Sequence, residues 1–351
     1  MTKIISGIQQ LGIGVTDTYE ARDWYKKHLG YDVVIFDEAA EANLMQQYTN
    51  NEPQQRHAIL AYNMKGGGGF EIWQYTQRTP VASSFEIQLG DLGIFACKIK
   101  SPNVKKAYSE FKSDGVNIIS EIGNTPEGKP HFFIKDPHNN IFEIEEQHDW
   151  LLNQDKTTGG NSGVIIGVSD MEKSIKFYTT ILGYETMVYD VEDNFDDLKG
   201  VAGYKEKYRR VLLKHEARGG AFSPLLGDST IELIMAIDRS PKRIYENRLW
   251  GDLGYIHLCF DIIGMDDLKD ECEKAGHPFT ADSANSLDMG EAAGHFSYVE
   301  DPDGTLIEFV ETHKIPLMEK LGIYMDIRKR DQAKPLPDWM LSFMKLSRMK
   351  D

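Results

Sequence analysis

The chain has 351 residues, enough for two ordinary domains, and its 41% hydrophobic and 27% charged content excludes a disordered or fibrous protein. Its 39 basic and 55 acidic residues leave a net charge of −16, a field that disfavours nucleic acid and anionic membranes as partners. The cysteines Cys97, Cys259 and Cys272 are odd in number and lack a CxxC spacing, and the N-terminal MTKIISGIQQ lacks a signal-type apolar run, so a cytoplasmic location is expected.

A first strand is expected near 9–15. Asp17 then offers a helix N-cap. The helix after it sets Ala21, Trp24, Tyr25 and Leu29 on one face. Gly30 supplies the C-terminal cap, and strands follow near 32–37, 57–63 and 70–76. The GGGG run at 66–69 has no helix N-terminus behind it, so it reads as a mobile loop rather than a phosphate cradle. A second pass places a strand near 92–99, a helix near 103–114 ended by Gly115, and strands near 117–121, 130–135 and 141–146. The segment 147–162 carries the TTGGNS stretch and reads as a flexible linker. Later helices are expected near 171–182 and 265–275.

The order repeats because the sequence repeats. LGIGVTDTYEARDWYKKHLGYDVV (11–34) matches VIIGVSDMEKSIKFYTTILGYETM (164–187), with Asp17, Tyr25, Gly30 and Tyr31 each 153 residues before Asp170, Tyr178, Gly183 and Tyr184. IKDPHNNIFEIEE (134–146) matches VEDPDGTLIEFVE (299–311) at an offset of 165. The chain therefore divides into units 1–150 and 151–312, each of two βαβββ modules, and a tail 313–351. The tail holds nine Lys/Arg against five Asp/Glu, and Trp339, Met340, Phe343 and Met344 stand at helical spacing in it. A helix docked on the body or on a second copy of the chain is expected there.

The VTD and VSD segments leading through a helix to LGY, and the DPxxxxxE strands ending at Glu143 and Glu308, resemble the vicinal oxygen chelate superfamily. That group includes glyoxalases, extradiol dioxygenases and bleomycin-resistance proteins. The resemblance implies an α+β fold of four βαβββ modules in two tandem glyoxalase-like domains, with cupped mixed β-sheets and helices outside. It also implies a divalent metal on a concave face, held by the first and last strands of two paired modules. Those positions here are Gln10, Glu71, Ile94 and Glu143 in the first unit, and Gly163, Glu232, His257 and Glu308 in the second.

If each unit folds on itself, each set lacks a ligand. If modules pair across units, one set is complete (Gln10, Glu71, His257, Glu308) and the other (Ile94, Glu143, Gly163, Glu232) is degenerate. The cross-paired arrangement is therefore expected. One imidazole, one amide oxygen and two carboxylates suit Zn²⁺, Ni²⁺, Co²⁺, Mn²⁺ or Fe²⁺. The resemblance implies a metal-dependent lyase or isomerase that stabilises an enediolate, with Glu308, and then Glu71, moving the proton. Alternation along the strands sets Trp73 and Tyr75 beside Glu71, and Tyr255 beside His257, as walls for a small-molecule substrate.

Two departures from the family pattern bear on substrate. Glutathione-type glyoxalases carry an Asn four residues after the fourth-strand Glu and an Arg four residues before the fifth-strand His. Tyr75 and Leu253 stand there in this sequence. Ring-cleaving dioxygenases need a first-strand His in the second unit, where Gly163 stands. A metal-free protein that sequesters an aromatic or cationic compound is the alternative reading of the same fold.

Overall fold

The computed structural model describes residues 3–217, 219–283, 294–318 and 323–350. The first module comprises β1 (Ile4–Gly14), α1 (Thr18–Trp24), β2 (Val33–Glu41), β3 (Gln55–Tyr62) and β4 (Gly69–Tyr75). The second holds β5 (Gly93–Ser101), α2 (Val104–Ser113), β6 (Asn117–Ile118), β7 (Gly123–Asn124), β8 (Pro130–Lys135) and β9 (Ile141–Glu146). The third holds β10 (Asn161–Gly167), α3 (Met171–Thr180), β11 (Thr186–Asp193), β12 (Tyr208–His215), α4 (Ser223–Leu226) and β13 (Ser229–Ala236). The fourth holds β14 (Gly254–Ile263), α5 (Met265–Ala275), β15 (Ala281–Asp282), β16 (Gly294–Glu300) and β17 (Leu306–Thr312). The tail adds a hairpin, β18 (Lys314–Met318) with β19 (Ile323–Asp326), and the short α6 (Asp338–Leu341).

The modules pair across the two units. One eight-stranded sheet runs β15-β16-β17-β14-β1-β4-β3-β2, joining module one to module four. The other runs β11-β12-β13-β10-β5-β9-β8-β6 with β7 alongside β8, joining module three to module two. Local chemistry sets the entries as expected. The Asp17 carboxylate accepts from the amides of Tyr19 and Glu20, and Asp170 does the same for Lys173. The first helix runs on through a wide turn to Gly30, which ends it in the left-handed region at φ 72°. The first strand begins five residues earlier than expected, because Ile4 and Ile5 continue the ladder opposite Ile263 and Ile262.

One continuous apolar core joins the helices to the sheets. It takes Leu11, Phe70, Ile72, Leu258, Ile307 and Phe309 from one sheet and Cys97, Phe142, Ile144, Val164 and Leu233 from the other. Tyr25 and Tyr178 seal it beneath the helices, each donating its hydroxyl to the aspartate of a DP turn, Asp136 and Asp301. The three cysteines are buried free thiols. Among the described residues no helix is long and apolar enough to cross a membrane.

Two glycine stretches depart from the expected mobility. The 66–69 run and the 157–162 segment pack backbone against backbone as the seam between the sheets. Gly160 N donates to Gly66 O at 2.8 Å and Gly67 N to Leu225 O at 2.7 Å. A Cβ on Gly67 would lie 2.6 Å from Asn161 O, and φ there is +112°. The glycines serve close approach here, a use that composition alone does not distinguish from flexibility. In the tail, Leu336 and Leu341 are buried, and Met340 and Met344 half-buried, against the cluster of Leu60, Tyr62 and Leu225, while Trp339 and Phe343 are exposed. The helical stripe expected as one face is thus divided between body and solvent.

Candidate metal centre

The four central strands of the eight-stranded sheet, β17-β14-β1-β4, each carry one predicted ligand. Gly12 is the ladder partner of both His257 and Glu71, Gln10 faces Cys259, and Cys259 faces Glu308. This register gathers all four side chains over one patch of the concave face. His257 Nε2 lies 3.0 Å from Glu308 Oε2 and 3.4 Å from Glu71 Oε2. Gln10 Nε2 donates to Glu71 Oε2 at 3.3 Å. Ligand atoms of Glu71, His257 and Glu308 all lie within 4.8 Å of one another.

Beyond the Gln10–Glu71 hydrogen bond, these contacts are ionic proximity without hydrogen-bond geometry. Gln10 Oε1, both ring nitrogens of His257 and Glu308 Oε2 are buried and lack a hydrogen-bond partner among the described residues. Each such orphan costs about 1–3 kcal/mol, more where charged. A cation would satisfy these buried oxygens and, once it displaces the imidazole proton, the His257 nitrogen as well. The donor set therefore fits a divalent ion.

The surroundings keep the site dry. Trp250 lies parallel to the imidazole with centroids 6.5 Å apart, and Tyr298 meets its edge at 5.5 Å. Met45, Trp73, Tyr75 and Ile256 complete an apolar shell. Gly12 makes room for the ring, since a Cβ there would lie 2.3 Å from His257 Cε1. Burial favours the neutral imidazole of His257, but the Glu308 and Glu71 carboxylates outweigh it and push its pKa up to about 10. Burial likewise works to raise Glu308, yet the imidazole holds it below the usual carboxylate range. Burial and then the nearby Glu308 push the Cys259 thiol and the Tyr298 hydroxyl up.

The predicted wall residues are placed unevenly. Trp73 and Tyr75 lie on the cup face but are buried in the shell, with the Tyr75 hydroxyl donating to Trp250 O. Tyr255 is elsewhere. The β1–β14 ladder slips between Gly12/His257 and Ile13/Tyr255. This bulge reverses the alternation. Ile256 therefore joins the cup, while Tyr255 turns into the helix-side core and donates to Ile141 O at 2.6 Å. The second set needs a separate correction, because GDLG at 90–93 repeats GDLG at 251–254 and so aligns Ile94 with Tyr255, not with His257. Lys98 pairs with Glu143 as Cys259 pairs with Glu308, so the position matching His257 is Ala96, and Ile94 sits in the core. Trp250, Tyr298 and Met45 went unread in the sequence. Trp250 stands in an irregular segment with no periodicity, whereas Tyr298 is legible as the partner of Glu308 once β16 and β17 are aligned.

A family model described as the Glyoxalase/Bleomycin resistance protein/Dioxygenase superfamily matches residues 7–144 and again 162–309. The chain belongs to this superfamily. Its tandem glyoxalase-like architecture has solved counterparts. Glyoxalase I from Zea mays superposes with a TM-score of 0.52 at 15% identity, covering 88% of this chain and 92% of that one. A Bacillus subtilis protein described as a dioxygenase superposes at 0.56 and 14% identity, covering 99% and 97%. These likenesses concern the fold. Among curated proteins, a lactoylglutathione lyase of Arabidopsis thaliana is 29% identical over 133 residues, 38% of this chain and 44% of that protein. A relative from Brassica oleracea var. gemmifera is 25% identical over 157 residues, 44% and 52%. The chain spans about half the length of the curated relatives it matches.

Proposed function

We propose that this glyoxalase-superfamily protein is a metal-dependent lyase or isomerase acting on a small α-oxo compound or thiol adduct. The observation that carries this reading is the convergence of Glu71, His257 and Glu308 within 4.8 Å, together with buried polar atoms of Gln10, His257 and Glu308 that no geometric hydrogen bond satisfies. These four residues would hold Zn²⁺, Ni²⁺, Co²⁺, Mn²⁺ or Fe²⁺. When bound, such an ion supplies Lewis-acid stabilisation of negative charge developing on a carbonyl oxygen.

The chain's own groups do the rest. Glu308 is the residue assigned to move the α-proton, its Oε2 standing within the ligand cluster 3.0 Å from His257 Nε2. Glu71 stands second, since Gln10 already donates to it. Trp73, Trp250, Tyr298 and Met45 exclude water and confine the substrate to a small molecule. The relatives' names speak of lactoylglutathione, but the two gripping positions offer little here. Tyr75 is spent on Trp250 O, and Leu253 has no polar side chain. Arg78, stacked on Tyr75 at 4.4 Å, is neutralised by Asp252 at 2.8 Å. A thiol carrier smaller than glutathione suits the cup better.

The test is turnover by metal-reconstituted protein of hemithioacetals formed from methylglyoxal with 2-mercaptoethanol and with glutathione. Glu308→Gln is expected to lose activity by about 100-fold or more while staying folded. Equal turnover in Glu308→Gln and wild type would remove Glu308 from the chemistry. Tight equilibrium binding of aromatic cations without metal uptake would favour a sequestering protein instead.

A further inference from the structure

The nine-stranded sheet forms a second cup related to the first by the module repeat. Glu143 and Glu232 stand where Glu308 and Glu71 stand in the first. The other two ligand positions hold Gly163 and Ala96, which offer no donor. Between the two carboxylates lies the Lys98 ammonium, 2.8 Å from Glu143 Oε2 and 2.8 Å from Glu232 Oε2. Lys98 comes from the same strand as Ala96, two residues on.

The lysine belongs to a closed ring of alternating charge. Glu143 Oε1 lies 2.6 Å from His131 Nδ1, and His131 Nε2 lies 3.4 Å from Asp197 Oδ2. Asp197 accepts from an Arg210 terminal nitrogen at 2.7 Å, and Arg210 Nε donates to Glu232 Oε1 at 2.7 Å. With His131 protonated, three cations and three anions alternate around the ring. Glu145 stands outside it, 3.7 Å from Lys98 and held by the Ser162 hydroxyl at 2.6 Å. Lys98, Arg210, His131, Glu143 and Glu232 are all essentially unexposed. Such a group has no solvent to fall back on if one charge is removed.

We propose that the Lys98 ammonium is a built-in substitute for a second metal ion: it bridges the two carboxylates inherited by the degenerate cup, closes that cup to metal and substrate, and leaves the chain with one exchangeable ion. The proposal rests on the first cup being the metal centre. A single positive charge suffices because Arg210 and His131 each share one of the two carboxylates. The cup thereby becomes a structural centre, and the duplicated chain keeps one reactive site.

The test compares wild type, Lys98→Met and the double variant Ala96→His/Lys98→Ala. Metal uptake is measured by equilibrium dialysis against Zn²⁺ and Mn²⁺ with elemental analysis, and thermal unfolding is followed with and without those ions. Wild type is expected to take one equivalent. Lys98→Met should unfold about 5–10 °C lower, because the methionine fills the volume but leaves the Oε2 atoms of Glu143 and Glu232 facing each other without a cation between them. The double variant should take a second equivalent and regain stability when metal is added. Two equivalents in wild type would overturn the proposal and leave the first centre standing. An unchanged Tm in Lys98→Met would overturn it as well, as would a folded double variant that takes no additional ion. No metal in wild type would count against the first centre, while the second uptake by the double variant would still report on Lys98. Should neither variant fold, wild-type ¹H–¹⁵N spectra decide. A slowly exchanging lysine ammonium resonance is expected, and its absence overturns the assignment.

Discussion

Gly12 is predicted to control whether His257 can serve the metal centre. No positive φ is imposed at this glycine, and the three atoms nearest an added Cβ all belong to the imidazole, at 2.3, 2.6 and 2.7 Å from Cε1, Nδ1 and Nε2. Alanine is thus refused there by the ring and not by the backbone. Ordinary contact begins at 3.4 Å, so the ring must retreat by 3.4 − 2.3, about 1.1 Å. Metal–ligand distances tolerate only about ±0.2 Å, and even loss of an outer partner weakens metal binding by about 10–100-fold. Gly12→Ala should therefore bind Zn²⁺ or Mn²⁺ at least ~100-fold more weakly. Overpacking should also cost the metal-free protein about 1–3 kcal/mol. Equilibrium dialysis reads the first quantity and urea unfolding the second. In the Gly12→Ala/His257→Ala double variant the steric cost should vanish, giving a favourable coupling in the double-mutant cycle. Wild-type metal affinity in Gly12→Ala, or additive stability losses in the cycle, would refute the argument.

Three further outcomes follow from the same geometry. In metal-free protein the folded His257 pKa of about 10 exceeds its ordinary value, so its stabilisation is complete below about pH 6.5 and is lost as pH rises through 10; metal uptake should release a proton, with apparent affinity rising about tenfold per pH unit across that window. Burial, aided by Glu311 and opposed by the Ser6 hydroxyl, pushes Asp261 up to about 7, so its ionisation costs stability as pH rises from about 4 through 7, and Asp261→Asn should be stabilising at pH 8 by roughly 1–4 kcal/mol but not at pH 4, as read by thermal melts. Gly67→Ala should cost about 2 kcal/mol or more by denaturant titration, since its Cβ would press on Asn161 O in a left-handed backbone.

The residues show where reading from sequence works and where it stops. Cross-pairing was legible because only that arrangement assembles four donor side chains, Gln10, Glu71, His257 and Glu308, and the ladders bring those four together. Phe70 and Ile72, which flank Glu71, and Ile307 and Phe309, which flank Glu308, lie in the helix-side core, as strand alternation requires. Alternation failed at Tyr255, where a one-residue slip beside Gly12 exchanges the faces; Ile94 was misplaced by two residues, since the GDLG repeat at 90–93 and 251–254 aligns Ile94 with Tyr255 and Ala96 with His257. No composition marks such a bulge. Lys98 was passed over for a related reason. A lysine on a strand usually reaches solvent, and only the three-dimensional convergence of Glu143 and Glu232 shows that this one does not. Trp250 reaches the site from an irregular segment whose course is set by contacts such as Trp250 N to Tyr48 O, beyond the reach of periodicity.

The most direct test of the account is the metal content of wild-type protein purified without chelator and reconstituted with Zn²⁺ or Mn²⁺, beside His257→Ala and Glu308→Ala. The account predicts one equivalent per chain in wild type and a loss in both variants, with their folds intact by circular dichroism. A wild-type protein that takes up no metal, or variants that hold as much as wild type, would contradict it.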